Sequence, residues 1–233
     1  MRTIGLIGGM SWESTLPYYR IINETVRDRL GGLHSAKIVL VSIDFHEVEA
    51  LQRAGEWEAA GRLLVEAGQT LVTAGADAVV LCTNTMHKLA DPLAAALRVP
   101  LLHIADPTAA TIAEHGLRTV GLLGTRFTME EDFYRARLQQ RHGLGVVVPD
   151  APDRELVHRV IYDELCQGRL LDNSRAAYRA VIARLVGRGA QGIILGCTEI
   201  ALLVGADDSP VPMFDTAAIH ARSAAEWAIG DER

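Results

Sequence analysis

The chain has 233 residues, a formal net charge of −6 and 49% hydrophobic residues, which is an ordinary composition for a globular protein. The acidic balance disfavours a nucleic-acid or other polyanionic partner. The apolar runs are too short to cross a bilayer, so the sequence predicts no membrane partner.

Short apolar runs alternate with helical patterns in the first half, which predicts parallel strands joined by crossover helices. The predicted strands are 3–7, 37–44, 78–82 and 101–104, and the predicted helices are 14–29, 56–74 and one that starts at 107. Apolar residues at spacings of three and four define the helix over 56–74, and Gly75 ends it. The run 78–82 is apolar throughout, as expected for a strand buried on both faces.

The second half of the chain repeats the first. Its predicted strands begin at 119 and cover 193–195 and 213–214, and its predicted helices cover 127–141, 153–166, 173–188 and 216–229. Three pairs of segments match in one order: 2–8 with 118–124, 75–85 with 189–199, and 99–102 with 211–214. Their offsets are nearly constant, at 118 − 2 = 116, 189 − 75 = 114 and 211 − 99 = 112.

The repeat predicts an α/β fold of two pseudo-symmetric parallel-sheet subdomains. The first subdomain comprises residues 1–112 and 211–233, and the second comprises residues 113–210. The final strand and the final helix are expected to return to the first subdomain. Two such units would bring equivalent strand ends to opposite walls of one cleft, which is the geometry needed to work on both faces of one carbon atom.

Polar loops follow four of the predicted strands, and ligands of open α/β sheets bind outside the carboxyl ends of the strands. These loops are 8–14, 83–87, 125–129 and 197–200. Each is predicted to begin a helix, whose backbone N–H groups could hold an anion such as a carboxylate. No Gly-x-Gly-x-x-Gly or Gly-Lys-Ser/Thr motif is present, so the Gly8-Gly9 pair is interpreted as a close approach of backbone to a small ligand.

Cys197 is the strongest candidate for chemistry, because it follows a strand within a polar Gly-Cys-Thr-Glu turn. A helix N-terminus would lower its thiol pKa and supply thiolate at neutral pH; the alternative is a small buried hydrophobic residue. The repeat places Cys197 opposite Thr83, since 83 + 114 = 197. Cys166 is predicted to lie on an apolar helix face. Cys82 is interpreted as a core residue and Thr83 as the cleft residue, because a one-residue shift along a strand turns the side chain to the other face of the sheet. An irregular strand end would reverse this assignment of Cys82 and Thr83.

Residues that would hold a metal or cofactor are absent or poorly placed. The three cysteines lack metal-ligand spacing and the eight histidines form no His-x-x-x-His cluster, so we expect no metal. Lys37 and Lys88, the two lysines, lack a phosphate-binding context, which disfavours pyridoxal phosphate. An odd number of cysteines and a start without a signal-peptide pattern favour a reduced, cytoplasmic protein.

Taken together, these motifs resemble the aspartate/glutamate racemase superfamily. The resembling segments are 1–12 with Ile-Gly-Gly-Met-Ser, 83–87 (Thr-Asn-Thr-Met-His), 196–200 (Gly-Cys-Thr-Glu-Ile), 42–47, 124–129 and 214–216. The resemblance covers almost the whole chain and is closest to bacterial aspartate/glutamate and broad-specificity amino-acid racemases. It implies a cofactor-independent enzyme that acts on an amino acid, two similar α/β subdomains with the active site in the cleft between them, and a homodimer.

The superfamily uses two cysteines, one on each side of the substrate's α-carbon. One removes the α-proton as thiolate and the other returns a proton on the opposite face. By motif the second cysteine is Cys197, whereas the first position holds Thr83. A threonine hydroxyl is a poor general base at neutral pH, so we expect Cys197 to be the principal base and one enantiomer to be processed preferentially, without any bias of the equilibrium.

The expected substrate-binding residues offer donors to the substrate carboxylate or line the four loops. They are Met10, Ser11, Gln52, Asn84, Thr85, Thr125, Thr128, Thr198 and Glu199. Glu199 is expected to pair with the substrate ammonium, and Gln52 is placed in the loop after the second strand. Its neighbour Arg53 would either pair with a distal carboxylate or lie on a solvated helix face. His87 is placed near the cleft by its motif, or else on a helix surface.

Two other functions remain open from the sequence. One is a different activity of the superfamily, such as hydantoin racemase, maleate isomerase or arylmalonate decarboxylase; the Gly-Gly-Met-Ser-Trp segment favours the aspartate/glutamate branch instead. The other is a non-catalytic amino-acid-binding protein in which Thr83 reflects lost activity. The Gly-Cys-Thr-Glu turn disfavours this second alternative.

Overall fold

The computed structural model describes residues 1–230, and within them the strands form two parallel sheets of four strands each. The first sheet contains β1 (Thr3–Gly8), β2 (Lys37–Ser42), β3 (Ala78–Leu81) and β4 (Leu101–Leu102), in the order β2-β1-β3-β4. The second contains β5 (Thr119–Gly124), β6 (Gly145–Val147), β7 (Ile193–Gly196) and β8 (Met213–Asp215), in the order β6-β5-β7-β8. The α/β fold class and the two matching sheets predicted from the repeat are confirmed.

Helices connect the strands of both sheets. They are α1 (Trp12–Leu30), α2 (Phe45–Ala54), α3 (Trp57–Thr73), α4 (Ala90–Ala96), α5 (Ala105–Glu114), α6 (Arg126–Glu130), α7 (Asp132–His142), α8 (Ala151–Asp163), α9 (Asp172–Gly187), α10 (Ile200–Leu203) and α11 (Thr216–Ile229). Three short 3-10 helices cover Thr85–Leu89, Leu165–Gln167 and Ala206–Asp208. Within residues 1–230, no helix has both the length and the apolar character that a membrane span requires.

Helix α2 was missed by the sequence analysis, and the predicted helix over 127–141 is two helices separated at Glu131. The helix expected to begin at the loop 83–87 is the 3-10 helix Thr85–Leu89 followed by α4. The local signals for α2 were present. The Asp44 side chain accepts a hydrogen bond from the His46 N–H at 3.0 Å, and Gly55 ends the helix in the left-handed conformation. The sequence analysis instead treated this segment as the loop after the second strand.

Contacts divide the chain into two compact units. Within the described residues, unit 1 comprises 1–104 and 220–230, and unit 2 comprises Ala105–Ile219. The sequence placed these boundaries at 112/113 and 210/211. The prediction that the final strand returns to the first subdomain is wrong, because β8 pairs in parallel with β7 in the second sheet. Strand β8 thereby repeats the position of β4 beside β3, as the match of 99–102 with 211–214 implied.

In unit 1 the central strands are buried on both faces. All four residues of β3 are buried, and so are five of the six residues of β1. Helix α3 buries Leu64, Ala67 and Leu71 in the same apolar cluster as Ile7 and Val79. The edge strand β2 is largely half-buried or exposed. The central strands therefore end at fixed positions, and the loops that follow them are anchored by the core.

One hydrogen bond at the start of the central strands occurs at equivalent positions in both units. In unit 1 the Thr3 N–H donates to Asp77 Oδ2 at 2.7 Å; in unit 2 the Thr119 N–H donates to Gln191 Oε1 at 3.1 Å. The acceptors are related by 77 + 114 = 191 and the donors by 3 + 116 = 119. In both units, therefore, the first residue of one central strand donates to a side chain that precedes the other central strand. The acceptor is an Asp side chain in unit 1 and a Gln side chain in unit 2.

Candidate active site

Cys197 lies directly after β7 in unit 2 and is 8% exposed. Its Sγ donates a hydrogen bond to Glu199 Oε2 at 3.0 Å, and Thr198 Oγ1 donates to the same carboxylate oxygen at 2.9 Å. All three residues are buried. One oxygen of the Glu199 carboxylate therefore accepts hydrogen bonds from both a thiol and a hydroxyl at the end of a buried strand.

Cys197 does not have the lowered pKa that the sequence suggested. Burial raises the pKa of the Cys197 thiol well above its usual value, and the nearby Glu199 carboxylate raises it further. The lowering expected at the start of a helix is present but outweighed, because the backbone hydrogen bond from Glu199 lowers the pKa less than burial and the Glu199 carboxylate raise it. Burial and this carboxylate both favour the protonated form of the Cys197 thiol.

The loop after β5 lies beside the loop after β7. Gly124 and Gly196 are register partners, and a Cβ added to Gly124 would come within 2.8 Å of the Gly196 carbonyl oxygen, so only glycine permits this approach. Thr125 caps α6 by accepting a hydrogen bond from the Thr128 N–H at 3.4 Å. Both threonines are buried, and their hydroxyl oxygens are 3.3 Å apart. Unit 2 thus brings Thr125 and Thr128 to the same sheet edge as Cys197.

Thr83 holds the equivalent position in unit 1, after β3, and is 7% exposed. Cys82 is fully buried, and its Sγ donates a weak hydrogen bond to the Val80 carbonyl at 3.9 Å. Burial raises the pKa of the Cys82 thiol far above its usual value. This placement agrees with the interpretation of Cys82 as a core residue.

The loop after β1 contributes Met10 and Ser11, both buried, and Ser11 is the N-cap of α1. Gly9 has a φ of +90°, and a Cβ on it would lie 2.1 Å from the Ile43 carbonyl oxygen. The Gly9 N–H donates to Thr15 Oγ1 at 2.9 Å. The close backbone approach predicted for this glycine is therefore made by the chain itself, at the end of β2, and does not require a ligand.

Gln52 lies on α2 and not in a loop, which corrects the sequence analysis. Its side chain is buried, and Nε2 lies 2.9 Å from the sulfur of Met86, two residues beyond Asn84. Asn84 and Thr85 are buried as well. Arg53 is on the solvated helix face, because its side chain is 72% exposed and lies 3.8 Å from Glu49. Unit 1 therefore gathers Met10, Ser11, Thr83, Asn84, Thr85 and Gln52 at the carboxyl ends of β1 and β3 and on the adjoining helix.

His87 is a buried residue whose contacts the sequence could not reveal. It is 3% exposed and lies in the 3-10 helix after Thr83. Its Nδ1 is 2.7 Å from the Thr83 carbonyl oxygen, and its Nε2 accepts a hydrogen bond from the Ile104 N–H at 3.2 Å. The helix-surface alternative is therefore wrong; the only sequence signal was its place four residues after Thr83.

Comparison with known protein families identifies one family that matches most of this chain. The Asp/Glu/hydantoin racemase family matches residues 7–224. The broad specificity amino-acid racemase RacX of Bacillus subtilis (strain 168) is 24% identical over 228 residues, which cover 94% of this chain and 95% of that protein.

Solved structures agree with the sequence match. The structure of a candidate Asp/Glu racemase from Yersinia pestis is 59% identical with a TM-score of 0.91, covering 99% of this chain and all of that one. An aspartate racemase homologue from Pyrococcus horikoshii OT3 is 35% identical with a TM-score of 0.84, with the same coverage. Both the sequence and the fold therefore show that the chain belongs to the Asp/Glu/hydantoin racemase family of isomerases.

Proposed function

We propose that this protein is a cofactor-independent amino-acid racemase that acts on aspartate, glutamate or a wider range of amino acids. One observation carries the proposal: two copies of one α/β unit place a thiol, Cys197, and a hydroxyl, Thr83, at equivalent buried strand ends. In this proposal the thiolate of Cys197 takes the α-proton from one face of the substrate. The Thr83 hydroxyl, or a water that it orients, returns a proton to the opposite face.

The surrounding residues have separate roles in the proposal. Asn84, Thr85 and Thr198 provide donors that hold the α-carboxylate and stabilise the carbanion, and Met10, Ser11, Gln52, Thr125 and Thr128 shape the two sides of the substrate. Glu199 pairs with the substrate ammonium. Cys197 must lose its S–H proton before it can act as a base, and an ammonium beside Glu199 offsets the negative charge that otherwise opposes this ionisation.

Incubation of the protein in D2O with L- and D-amino acids, without added cofactor, tests the function. The panel includes aspartate, glutamate and homoserine; α-deuterium is followed by mass and enantiomers by chiral chromatography. We expect deuterium to appear in the inverted product, and EDTA to leave the rate unchanged. Absence of exchange on every amino acid would overturn the proposal and favour hydantoins, maleate-like diacids or a binding role.

Replacing Glu199 tests the electrostatic control of Cys197. Because the carboxylate raises the thiol pKa, Glu199→Gln should lower that pKa and shift the pH profile of alkylation by iodoacetamide to lower pH. At pH 8 the labelling of Cys197, located by peptide mass spectrometry, should be about three- to tenfold faster. Racemisation should nevertheless slow, because the ammonium loses its partner. Glu199→Asp retains the charge and is the control; unchanged or slower labelling in Glu199→Gln would contradict this account.

We further propose that the protein works in the cytoplasm as a homodimer. Its cysteines are all free within the described residues, which fits a reducing compartment. Size-exclusion chromatography with light scattering, at several protein concentrations, gives the mass directly. A monomer mass at every concentration would rule out the dimer.

A further inference from the structure

Thr83 lies one residue beyond the last backbone hydrogen bond between β3 and β1. The last hydrogen bond of β3 to β1 is donated by the Cys82 N–H to the Ile7 carbonyl at 2.9 Å. The Thr83 N–H instead donates back to the Leu81 carbonyl at 2.9 Å, in a tight local turn. The orientation of Thr83 therefore depends on contacts outside the sheet.

His87 makes one of those contacts. Its Nδ1 lies 2.7 Å from the Thr83 carbonyl oxygen, and its Nε2 lies 3.2 Å from the Ile104 nitrogen. A backbone amide can only donate, so Nε2 accepts, and Nδ1 carries the proton that is donated to Thr83. The neutral imidazole thus links the loop after β3 to the chain segment after β4 and uses both of its nitrogens.

Buried rings hold the imidazole in this orientation. The ring centroid of His103 is 4.4 Å from that of His87, and the ring centroid of His220 is 6.1 Å away. His220 is itself fixed, because its Nε2 lies 2.9 Å from the Leu102 carbonyl oxygen and its Nδ1 lies 3.0 Å from the Tyr18 hydroxyl. Tyr18 and His220 are both buried in unit 1. A ring packed in this way has little freedom to rotate away from Thr83.

We propose that His87 is a positioning residue that fixes the Thr83 hydroxyl for proton return and leaves proton removal by Cys197 largely unaffected. The inference rests on the proposed function, because it assigns His87 to the step that Thr83 serves. The direction of the Thr83 Cα–Cβ bond follows the local backbone, and the hydrogen bond to its carbonyl restrains that backbone. A misplacement of about 1 Å costs about 100-fold in rate at a reacting group.

The test separates the two proton transfers. Removal of the α-proton alone is measured by chloride elimination from a β-chloro amino acid, β-chloroalanine or β-chloroaspartate, whichever the wild-type protein converts. The carbanion left by α-proton removal expels chloride, and the resulting enamine hydrolyses to a keto acid and ammonium. Elimination therefore does not need proton return on the Thr83 face, whereas inversion of the normal substrate does.

Two variants differ in the hydrogen bond that they can keep. His87→Asn places an amide N–H close to the position of Nδ1, and His87→Gln places its amide close to Nε2 and loses the donor to Thr83. We expect His87→Gln to lower inversion about 100-fold, while elimination changes only a few-fold, and His87→Asn to restore much of the inversion rate. Thr83→Ala is the matched control, and adding His87→Gln to it should cost little more, because both changes affect one step.

The results that would overturn the inference are specific. An equal fall of elimination and inversion in His87→Gln would show a general structural role, as would equal behaviour of the Asn and Gln variants. Full additivity of His87→Gln with Thr83→Ala would show that the two residues act separately. A wild-type protein that neither exchanges nor inverts any amino acid would instead overturn the proposed function, so the two failures are distinguishable.

Discussion

Cys197→Ser should reduce racemisation by at least about 1,000-fold, the largest effect expected from any single substitution in this chain. Serine preserves the size of the side chain and can still donate a hydrogen bond to Glu199, so the local packing is retained. What it lacks is an ionisable thiol, because a hydroxyl is a far weaker acid and hardly forms its anion at neutral pH. The rates are measured by chiral chromatography at saturating and subsaturating substrate.

Two other cysteines provide the controls for that substitution. Cys82→Ala removes a fully buried thiol from unit 1, and Cys166→Ser removes a partly buried thiol from unit 2. We expect both variants to keep racemisation within a few-fold of the wild-type rate once they are folded, as judged by thermal melting. Cys197→Ser retaining more than a tenth of the activity, or Cys82→Ala losing as much as Cys197→Ser, would contradict the assignment of Cys197 as the base.

Thr83→Cys should relax the preference for one enantiomer. The equilibrium constant between enantiomers is one, so kcat/KM must be equal in the two directions, and a preference in racemisation shows only in kcat and KM separately. Chloride elimination is irreversible and has no such constraint. In the wild-type protein we expect elimination from the enantiomer whose α-proton faces Cys197, and little from the other. A thiol at position 83 should raise elimination from the disfavoured enantiomer about 100-fold.

The neighbouring thiol and the loss of the hydroxyl both need controls. Thr83→Ser keeps a hydroxyl and should keep the wild-type preference, whereas Thr83→Cys combined with Cys82→Ala should behave like Thr83→Cys alone. Elimination from the disfavoured enantiomer that stays at the wild-type level in Thr83→Cys would show that Thr83 does not lie at the second face. If Cys82→Ala lowered inversion of the normal substrate as strongly as Thr83→Ala does, Cys82 and not Thr83 would supply the returning proton.

Much of the fold could be predicted because its signals are local. The continuous apolar run 78–82 contains the central strand β3, its counterpart 193–195 lies on the central strand β7, and α3 ends just before Gly75. The match of 99–102 with 211–214 was a correct guide to β8, which occupies the position in its sheet that β4 occupies in the first. The expectation that β8 returns to the first subdomain was wrong, because hydrogen bonding to β7 fixes this strand in the second sheet.

The candidate site shows the same difference between local signals and contacts made by distant residues. Most of its candidate residues could be proposed from the sequence, because polar side chains directly after buried strands are visible in the order of the residues. Their chemical state could not be found in this way. Helix α2 puts Gln52 beside Met86, and the carboxylate of Glu199 folds back onto Cys197, and neither contact has a spacing that marks it.

By itself, therefore, the sequence determined two copies of an α/β unit and the strand ends that carry Thr83 and Cys197, since strand periodicity and turn residues act over a few positions. Only the tertiary structure decided that the pKa of Cys197 is raised and not lowered, because that pKa depends on burial and on where the Glu199 carboxylate points. Only the tertiary structure decided that His87 faces Thr83 and Ile104, because that orientation is set by rings from distant parts of the chain. Ionisation and side-chain direction respond to the whole surroundings of a group, and those surroundings exist only after the chain has folded.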